Sequence, residues 1–448
     1  MVGLDAAKTP RRIAGRARPS ASLTWVAVAV VVRLVAAVRY SREPVGFHDP
    51  FFYRIAAAPI AEGRGYRSSF GELTAYYPPG YPHVLGSLQW IADTVGRPDA
   101  LVGIAVVFQA LLWGLVTWAA MATAARVWNR RVAVIAGGIV ALWPNLILHS
   151  TVLLTETVYL ALLSGLLLVV VVTAQTAPGG TVRQLLVGSV GAGTLLGSAA
   201  LVRPQVLLLA PVLAAAPLVN GVDRRRALAV AGVMAVVCVW VIVPWTARNQ
   251  SVFGEFVAIS TNGGDNLCMG FHEGASGTFG YAPACETGEI YTDGPDAEYR
   301  RNREAARRAR ERISANASEL PVLSVRKLWH TYRGDTDALR AVESYGEDRF
   351  LGSVERSVWR VASTAFYVVV MAATVIGVVR TVRLGKGPRR ALRRWLTVVM
   401  VVSAAGPLVV FGEQRFKVAT APLFAIVAAA GAAAVGSRSA SDVPLASD

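Results

Sequence analysis

Leu23-Thr24-Trp25-Val26-Ala27-Val28-Ala29-Val30-Val31-Val32-Arg33-Leu34-Val35-Ala36-Ala37-Val38, followed closely by Phe47-His48-Asp49-Pro50-Phe51-Phe52-Tyr53, sets the reading of the whole chain. The first stretch is apolar over nearly the length of a membrane span, broken only by Arg33. The second places a carboxylate just beyond that span. Outward from it, the same composition persists: 54% of the 448 residues are hydrophobic and 17% charged. Soluble domains carry nearer a quarter charged residues, so a soluble protein is set aside.

Apolar runs that approach the ~20 residues of a bilayer crossing lie at 22–40, 100–125, 132–149, 152–174, 183–201, 204–220, 227–246, 358–380, 393–411 and 417–436. The expected fold is therefore an all-α polytopic membrane protein of about ten transmembrane helices. The segment Tyr81 to Val95 is shorter and mixed, with Gln89, Trp90 and Asp93, and reads as an interfacial helix in the first outer loop.

The net charge of +16 raises nucleic acid as a partner, but the placement of the charges argues against it. Lys and Arg gather in short loops between apolar runs, at Arg126, Arg130-Arg131, Arg183, Arg224-Arg225-Arg226 and Arg380 to Arg394. That is the positive-inside pattern, and no basic helix carries interleaved aromatics. It puts both ends of the chain in the cytoplasm. The N-terminus is basic (Lys8, Arg11, Arg12, Arg16, Arg18), and Arg33 together with the lack of a small-residue cleavage site favours a retained span over a cleaved signal peptide. The expected organisation is a basic cytoplasmic tail (1–21), a transmembrane module (22–246) containing the first outer loop (41–99), a long extracytoplasmic loop (247–357), C-terminal transmembrane helices (358–436) and a second cytoplasmic tail (437–448). In the long loop, Asp296 to Ala315 is rich in Ala, Glu and Arg and is expected to be a helix whose arginines face water or lipid headgroups.

On this topology the chemically useful side chains fall near one face: Asp49, Tyr77, Glu156, Arg203, Arg248, Asn249, the segment 261–266 with Asn262 and Asn266, and Arg415 with Lys417. Ionisable groups at membrane depth are costly, so their convergence reads as a site. Asp49 before Pro50 has two readings, a helix cap or a general base. Tyr76-Tyr77-Pro78-Pro79-Gly80-Tyr81-Pro82 is a stiff turn, either a connector or a wall for a ligand near Asp49. Glu156 stands in Leu-Thr-Glu-Thr with no basic neighbour in sequence. Arg203 and Arg415 offer guanidinium forks suited to phosphate, whereas Lys417 also fits an interface anchor. Arg248, Asn249 and the Gly- and Asn-rich stretch after Trp245 offer donors and acceptors for sugar hydroxyls. Asp49 and Glu156 together suit Mg²⁺ or Mn²⁺, though nothing requires a metal. Cys268 and Cys285 either form a disulfide in the outer loop or remain free thiols, and Cys238 is buried filler.

Taken in order, the first-loop aspartate, Tyr-Pro-Pro-Gly-Tyr-Pro, Leu-Thr-Glu-Thr, Arg203-Pro204-Gln205, Pro244-Trp245-Thr246-Ala247-Arg248-Asn249 and Arg415-Phe416-Lys417 resemble the bacterial GT-C glycosyltransferases. The likeness is to the branch similar to protein O-mannosyltransferases and the lipid A aminoarabinose transferase, and it runs over residues 22–436. The first-loop motif departs from the family's usual form in being His-Asp-Pro. The resemblance implies transfer of a sugar from a polyprenyl-phosphate donor to an extracytoplasmic glycan, protein or lipid. It implies Asp49 as the catalytic aspartate, Glu156 at a second acidic position, and Arg203 and Arg415 near the lipid phosphate. The site would open on the outer face of the plasma membrane. The rival readings are a transporter or flippase of lipid-linked sugars, for which no internal repeat is visible, and an envelope scaffold.

Overall fold

A computed structural model describes residues 20–280, 285, 294–383 and 388–438. The basic tail up to residue 19 and the tail from 439 lie outside the described residues. Among these residues the chain is helical, with only isolated bridges. In order, the helices are α1 (Ser20–Tyr40), α2 (Asp49–Ala61), α3 (Gly80–Thr94), α4 (Leu101–Val127), α5 (Arg130–Leu142), α6 (Pro144–His149), α7 (Glu156–Thr176), α8 (Val182–Val202), α9 (Ala210–Ala214) and α10 (Ala216–Val219). They continue with α11 (Arg224–Phe253), α12 (Gly263–Phe271), α13 (Pro295–Ala315), α14 (Leu320–Tyr332), α15 (Asp337–Val342), α16 (Ser353–Arg383), α17 (Pro388–Ala404) and α18 (Ala421–Arg438).

Eight helical segments among the described residues are long and apolar enough to cross a bilayer: Ser22–Tyr40, Pro98–Val127, Glu156–Thr176, Val182–Val202, Arg224–Phe253, Ser353–Arg383, Arg390–Val409 and Gln414–Ala433. The ten expected spans are thus corrected to eight continuous ones and two interrupted ones. The run 132–149 breaks at Trp143 (φ −66°, ψ 111°), because Pro144 forces an extended residue before it and lacks the N–H that would continue the helix. The run 204–220 contains Pro204, Pro211 and Pro217 and divides into a 3₁₀ turn, Pro204–Leu209, and the short helices α9 and α10. Both still travel the length of the bundle. The first runs from the end where α4 stops to the end where α7 starts. The second runs from Arg203 back to Asn220, whose amide donates to the Ala174 carbonyl near the end of α7 (2.9 Å).

The break at Pro144 explains Arg33. With no amide hydrogen at residue 144, the carbonyl of Val140 loses its helical partner. The Arg33 guanidinium donates to Val140 O and Ala141 O (both 3.1 Å) and to Ala29 O (3.0 Å), and stacks 4.2 Å over Trp113. Arg33 is wholly buried. A charge inside the first span is held by backbone acceptors that the broken helix exposes.

Neighbouring helices pack in the series α11, α8, α7, α4, with α1 and α5 against α4 and then α18 and α16. The core is built of Leu, Val and Ala from α4, α7, α5 and α18, while Val35, Trp240, Val361 and Val369 stay exposed on the outside, where lipid would replace water. The long segment between α11 and α16 covers one end of the bundle. Its helix α13 matches the expected span, and its arginines pair along the helix, Arg307 with Glu304 and Glu311 and Arg308 with Glu304. Its buried face, Ala305 and Ala309, packs on Cys268. Cys268 and Cys285 are joined as a disulfide, which resolves the open alternative.

Candidate active site

Asp49 is the first residue of α2, but His48 occupies the N-cap position and no side chain caps the helix. The cap role offered by the Asp-Pro step is therefore not taken up, and the Asp49 carboxylate is available elsewhere. It accepts a hydrogen bond from the Tyr77 hydroxyl (3.0 Å) and another from the Arg415 guanidinium. Tyr77 is delivered by the Pro78-Pro79-Gly80 turn. A Cβ on Gly80 would lie 2.6 Å from Val202 and 2.9 Å from the Leu201 carbonyl, so the turn can seat directly on the end of α8. That contact brings the first loop against Arg203.

Arg203 leaves α8 in an extended conformation (φ −146°, ψ 99°), as a residue before proline does. Its side chain turns back toward α7. It donates to the Thr155 hydroxyl (2.9 Å) and to Glu156 (2.5 Å). Glu156 opens α7, is 1% exposed, and also accepts two bonds from Arg415, which stands on the 3₁₀ turn Gln414–Thr420. The result is one chain of contacts: Tyr77, Asp49, Arg415, Glu156, Arg203, Thr155. Five elements distant in sequence meet at one end of the bundle, and two carboxylates balance two guanidiniums. The two acids differ in access, for the Asp49 side chain is 31% exposed and that of Glu156 is 1%.

The other expected residues sit elsewhere. Arg248 donates to the carbonyls of Thr74 (2.9 Å) and Tyr66 (3.2 Å), and Asn249 donates to those of Val257 (3.1 Å) and Ile259 (3.3 Å). Arg248 therefore clamps backbone of the first loop, and Asn249 clamps the segment that follows α11. The segment 261–266 is ordered by helix packing. It leads through the N-cap Asn262 into the first turn of α12, which Gly264 lets approach α13 so closely that a Cβ would meet the Asn302 carbonyl at 1.9 Å. Asn262 accepts from Ser260 (3.0 Å), and Asn266 donates its backbone N–H to the Asn262 carbonyl. Lys417 points away from the cluster and is buried against Asp335 (3.0 Å) and the Gly334 carbonyl (2.6 Å). Trp143 (2.6 Å) and Asn145 (3.0 Å) also donate to Asp335, so Lys417 ties α6 and the long segment to the turn that carries Arg415.

Several neighbours were not singled out from sequence. Tyr53 packs edge-on against Tyr77 (5.0 Å) and Tyr81 (5.2 Å). Glu413 and Asp337 are largely buried acids beside Arg415, and burial raises both carboxyls above their ordinary range. Glu413 stood two residues from Arg415 and was legible by position, whereas Asp335 and Asp337 lay in an unremarked loop. Asp49 and Glu156 were the pair offered to Mg²⁺ or Mn²⁺. Arg415 bonds to both, so a guanidinium fills the space that such an ion would need, and the pair as arranged does not fit a metal. No group of three or more His, Cys, Asp or Glu side chains gathers as metal ligands among the described residues.

This bundle, with its broken segments and a helical cover at one end, has the GT-C membrane fold. Its solved neighbours include the oligosaccharyltransferase of Archaeoglobus fulgidus. The crystal structure of that enzyme with Zn and sulfate is similar with a TM-score of 0.57 and 16% identity, over 94% of this chain and 49% of that one. The archaeal oligosaccharyltransferase AglB from Archaeoglobus fulgidus, in complex with an inhibitory peptide and a dolichol-phosphate, gives a TM-score of 0.56 and 15% identity, over 95% and 52%. ArnT from Cupriavidus metallidurans bound to undecaprenyl phosphate gives 0.40 and 17%, over 95% and 80%. The chain thus spans about half the length of the oligosaccharyltransferase it matches. No family model and no curated protein matches the sequence.

Proposed function

We propose that the protein transfers a sugar from a polyprenyl-phosphate donor to an acceptor hydroxyl outside the cytoplasm. The observation that carries this reading is the meeting of Asp49, Arg415, Glu156 and Arg203 in one chain of contacts at one end of the bundle. Arg203 also lines a narrow groove together with Leu208, Leu209, Val402, Pro407, Val410 and Phe416. An apolar trough ending in a guanidinium suits a lipid that ends in phosphate.

In this mechanism Asp49, the exposed acid, takes the proton of the acceptor hydroxyl as its oxygen attacks the anomeric carbon. The bond from that carbon to the phosphate oxygen breaks, and its electron pair stays on the lipid phosphate. Arg203 and Arg415 stabilise the charge that develops there. Displacement in one step inverts the anomeric centre. Glu156 is better suited to position the two guanidiniums than to touch substrate, because it is buried and both its oxygens are engaged. The Cys268–Cys285 disulfide supports a long segment that faces an oxidising compartment, hence a site on the outer side of the plasma membrane. This reading assigns the catalytic first loop to 41–99 and the cover to 247–357.

The test is incubation of the purified chain with a panel of polyprenyl-phosphate sugars, following release of the lipid phosphate. Release by the native chain and its loss in Asp49→Asn are expected. Translocation of an intact lipid-linked sugar without release would instead establish a flippase.

A further inference from the structure

At the end of the bundle opposite Asp49 lies a second and larger groove, open to its surroundings. It opens between the α4–α5 junction, the last turns of α16, the start of α17 and the second half of α18. Its polar wall is built by Arg131, Arg380, Arg383 and Arg393, drawn from three helices, and no carboxylate lines it among the described residues. Arg393 is anchored by donating to the Val127 carbonyl (3.0 Å) and lies over Trp128. Among the described residues, Arg131, Arg380 and Arg383 have no carboxylate partner. The start of α5, capped by Asn129, adds the positive end of a helix to the same rim.

The floor is apolar. Val375 and Val379 line it and remain 60% and 40% exposed, on a helix pair drawn close by Gly377 and Gly431. A Cβ on Gly377 would meet the Val427 carbonyl at 2.1 Å, which fixes α16 against α18 and sets the depth of the groove. We infer that this groove binds the headgroup of an anionic glycerophospholipid, with its phosphate on the arginines and its acyl chains along Val375 and Val379. Guanidinium forks match phosphate oxygens, and basic pockets between membrane helices take such headgroups. The exposed apolar floor favours a lipid over free phosphate, which would leave those valines uncovered. On the topology proposed above, the lipid belongs to the cytoplasmic leaflet.

The experiment uses the full chain in detergent, with native mass spectrometry to count retained lipid and thermal unfolding as a second readout. Phosphatidylglycerol, phosphatidylcholine and inorganic phosphate are supplied separately. Selective retention of phosphatidylglycerol is expected, with a matching rise in unfolding temperature. The combined R131Q/R380Q/R383Q variant is expected to lose that retention on the order of a hundredfold, about fivefold for each arginine, with sugar transfer unchanged. Equal retention of phosphatidylcholine overturns the site. So does full retention of phosphatidylglycerol by the triple variant, and equal stabilisation by inorganic phosphate overturns the lipid as its occupant. Should the triple variant not fold, Arg383→Gln alone, exposed at the end of α16, is expected to lower retention about fivefold, and no change there refutes the site.

Discussion

Replacing Glu156 by Gln separates positioning from catalysis. The native carboxylate receives Arg203, Arg415 and Thr155 in a place closed to solvent. Gln keeps the shape and one acceptor oxygen, but it removes the charge and aims an amide N–H at a guanidinium. Breaking a buried ion pair from one side costs about 3–5 kcal/mol. Asp49 still neutralises half of Arg415, so the lower end, about 3 kcal/mol, is expected. Asp49→Asn removes a charge that is a third exposed and retains the bond from Tyr77, and its cost is about 1 kcal/mol. The order reverses for the chemistry. Loss of a general base lowers the transfer rate about 10²–10⁴-fold, so D49N is the poorer catalyst although the more stable protein. The assay pairs SDS-driven unfolding midpoints with transfer measured at a temperature where both variants remain folded. An E156Q protein as stable as D49N, or a D49N protein that transfers sugar as fast as E156Q, refutes the division of roles.

Three other changes test adjacent parts of the structure. Arg203→Ala is expected to raise the donor KM more than the acceptor KM, and equal effects on both would remove it from the phosphate. Lys417→Met leaves Asp335 buried without its cation and is expected to destabilise the protein by about 3 kcal/mol; adding Asp335→Asn should restore much of that, and additive losses would show that the pair is not coupled. Glu298 accepts from Thr74 (2.6 Å), Ala75 (3.0 Å) and Thr261 (2.5 Å), and burial raises its carboxyl above the ordinary 4.5. The folded protein then holds that proton more tightly than the unfolded chain, so the contribution of Glu298 is full below about pH 4.5 and is lost as pH rises through the raised value. The stability advantage of the native chain over Glu298→Gln should therefore shrink between pH 4.5 and pH 8, and a constant difference contradicts it.

The residues of the central cluster were legible because each is a charge where charge is expensive. Asp49, Glu156, Arg203 and Arg415 stood out against apolar surroundings, and the rigid turn marked Tyr77. Which way each would face was not legible. Arg415 and Lys417 are two residues apart on a turn whose 3₁₀ geometry sends one to Asp49 and the other to Asp335, and periodicity carries no such information. Arg248 and Asn249 looked like ligand contacts because their partners are backbone carbonyls, which a sequence does not display. The stretch 261–266 read as a source of ligand contacts, and only the packing of α12 on α13 reveals that Gly264 is there for closeness. The spans at 132–149 and 204–220 were apolar enough to pass as continuous, although Pro144, Pro211 and Pro217 were in plain view. Hydropathy registers how much of a segment belongs in lipid, not whether its backbone stays unbroken.

The arginine at the centre of α1 bears on how the chain is made. An isolated segment carrying Arg33 enters a bilayer against a penalty of about 2.5–3.5 kcal/mol at its middle. The carbonyls that relieve it belong to α5, which is synthesised roughly a hundred residues later. The first span therefore gains the acceptors that hold its charge only once the interrupted helix has been made. Conversely, the severed end of α5 finds its donor already present in α1, so each supplies what the other lacks in the bundle interior.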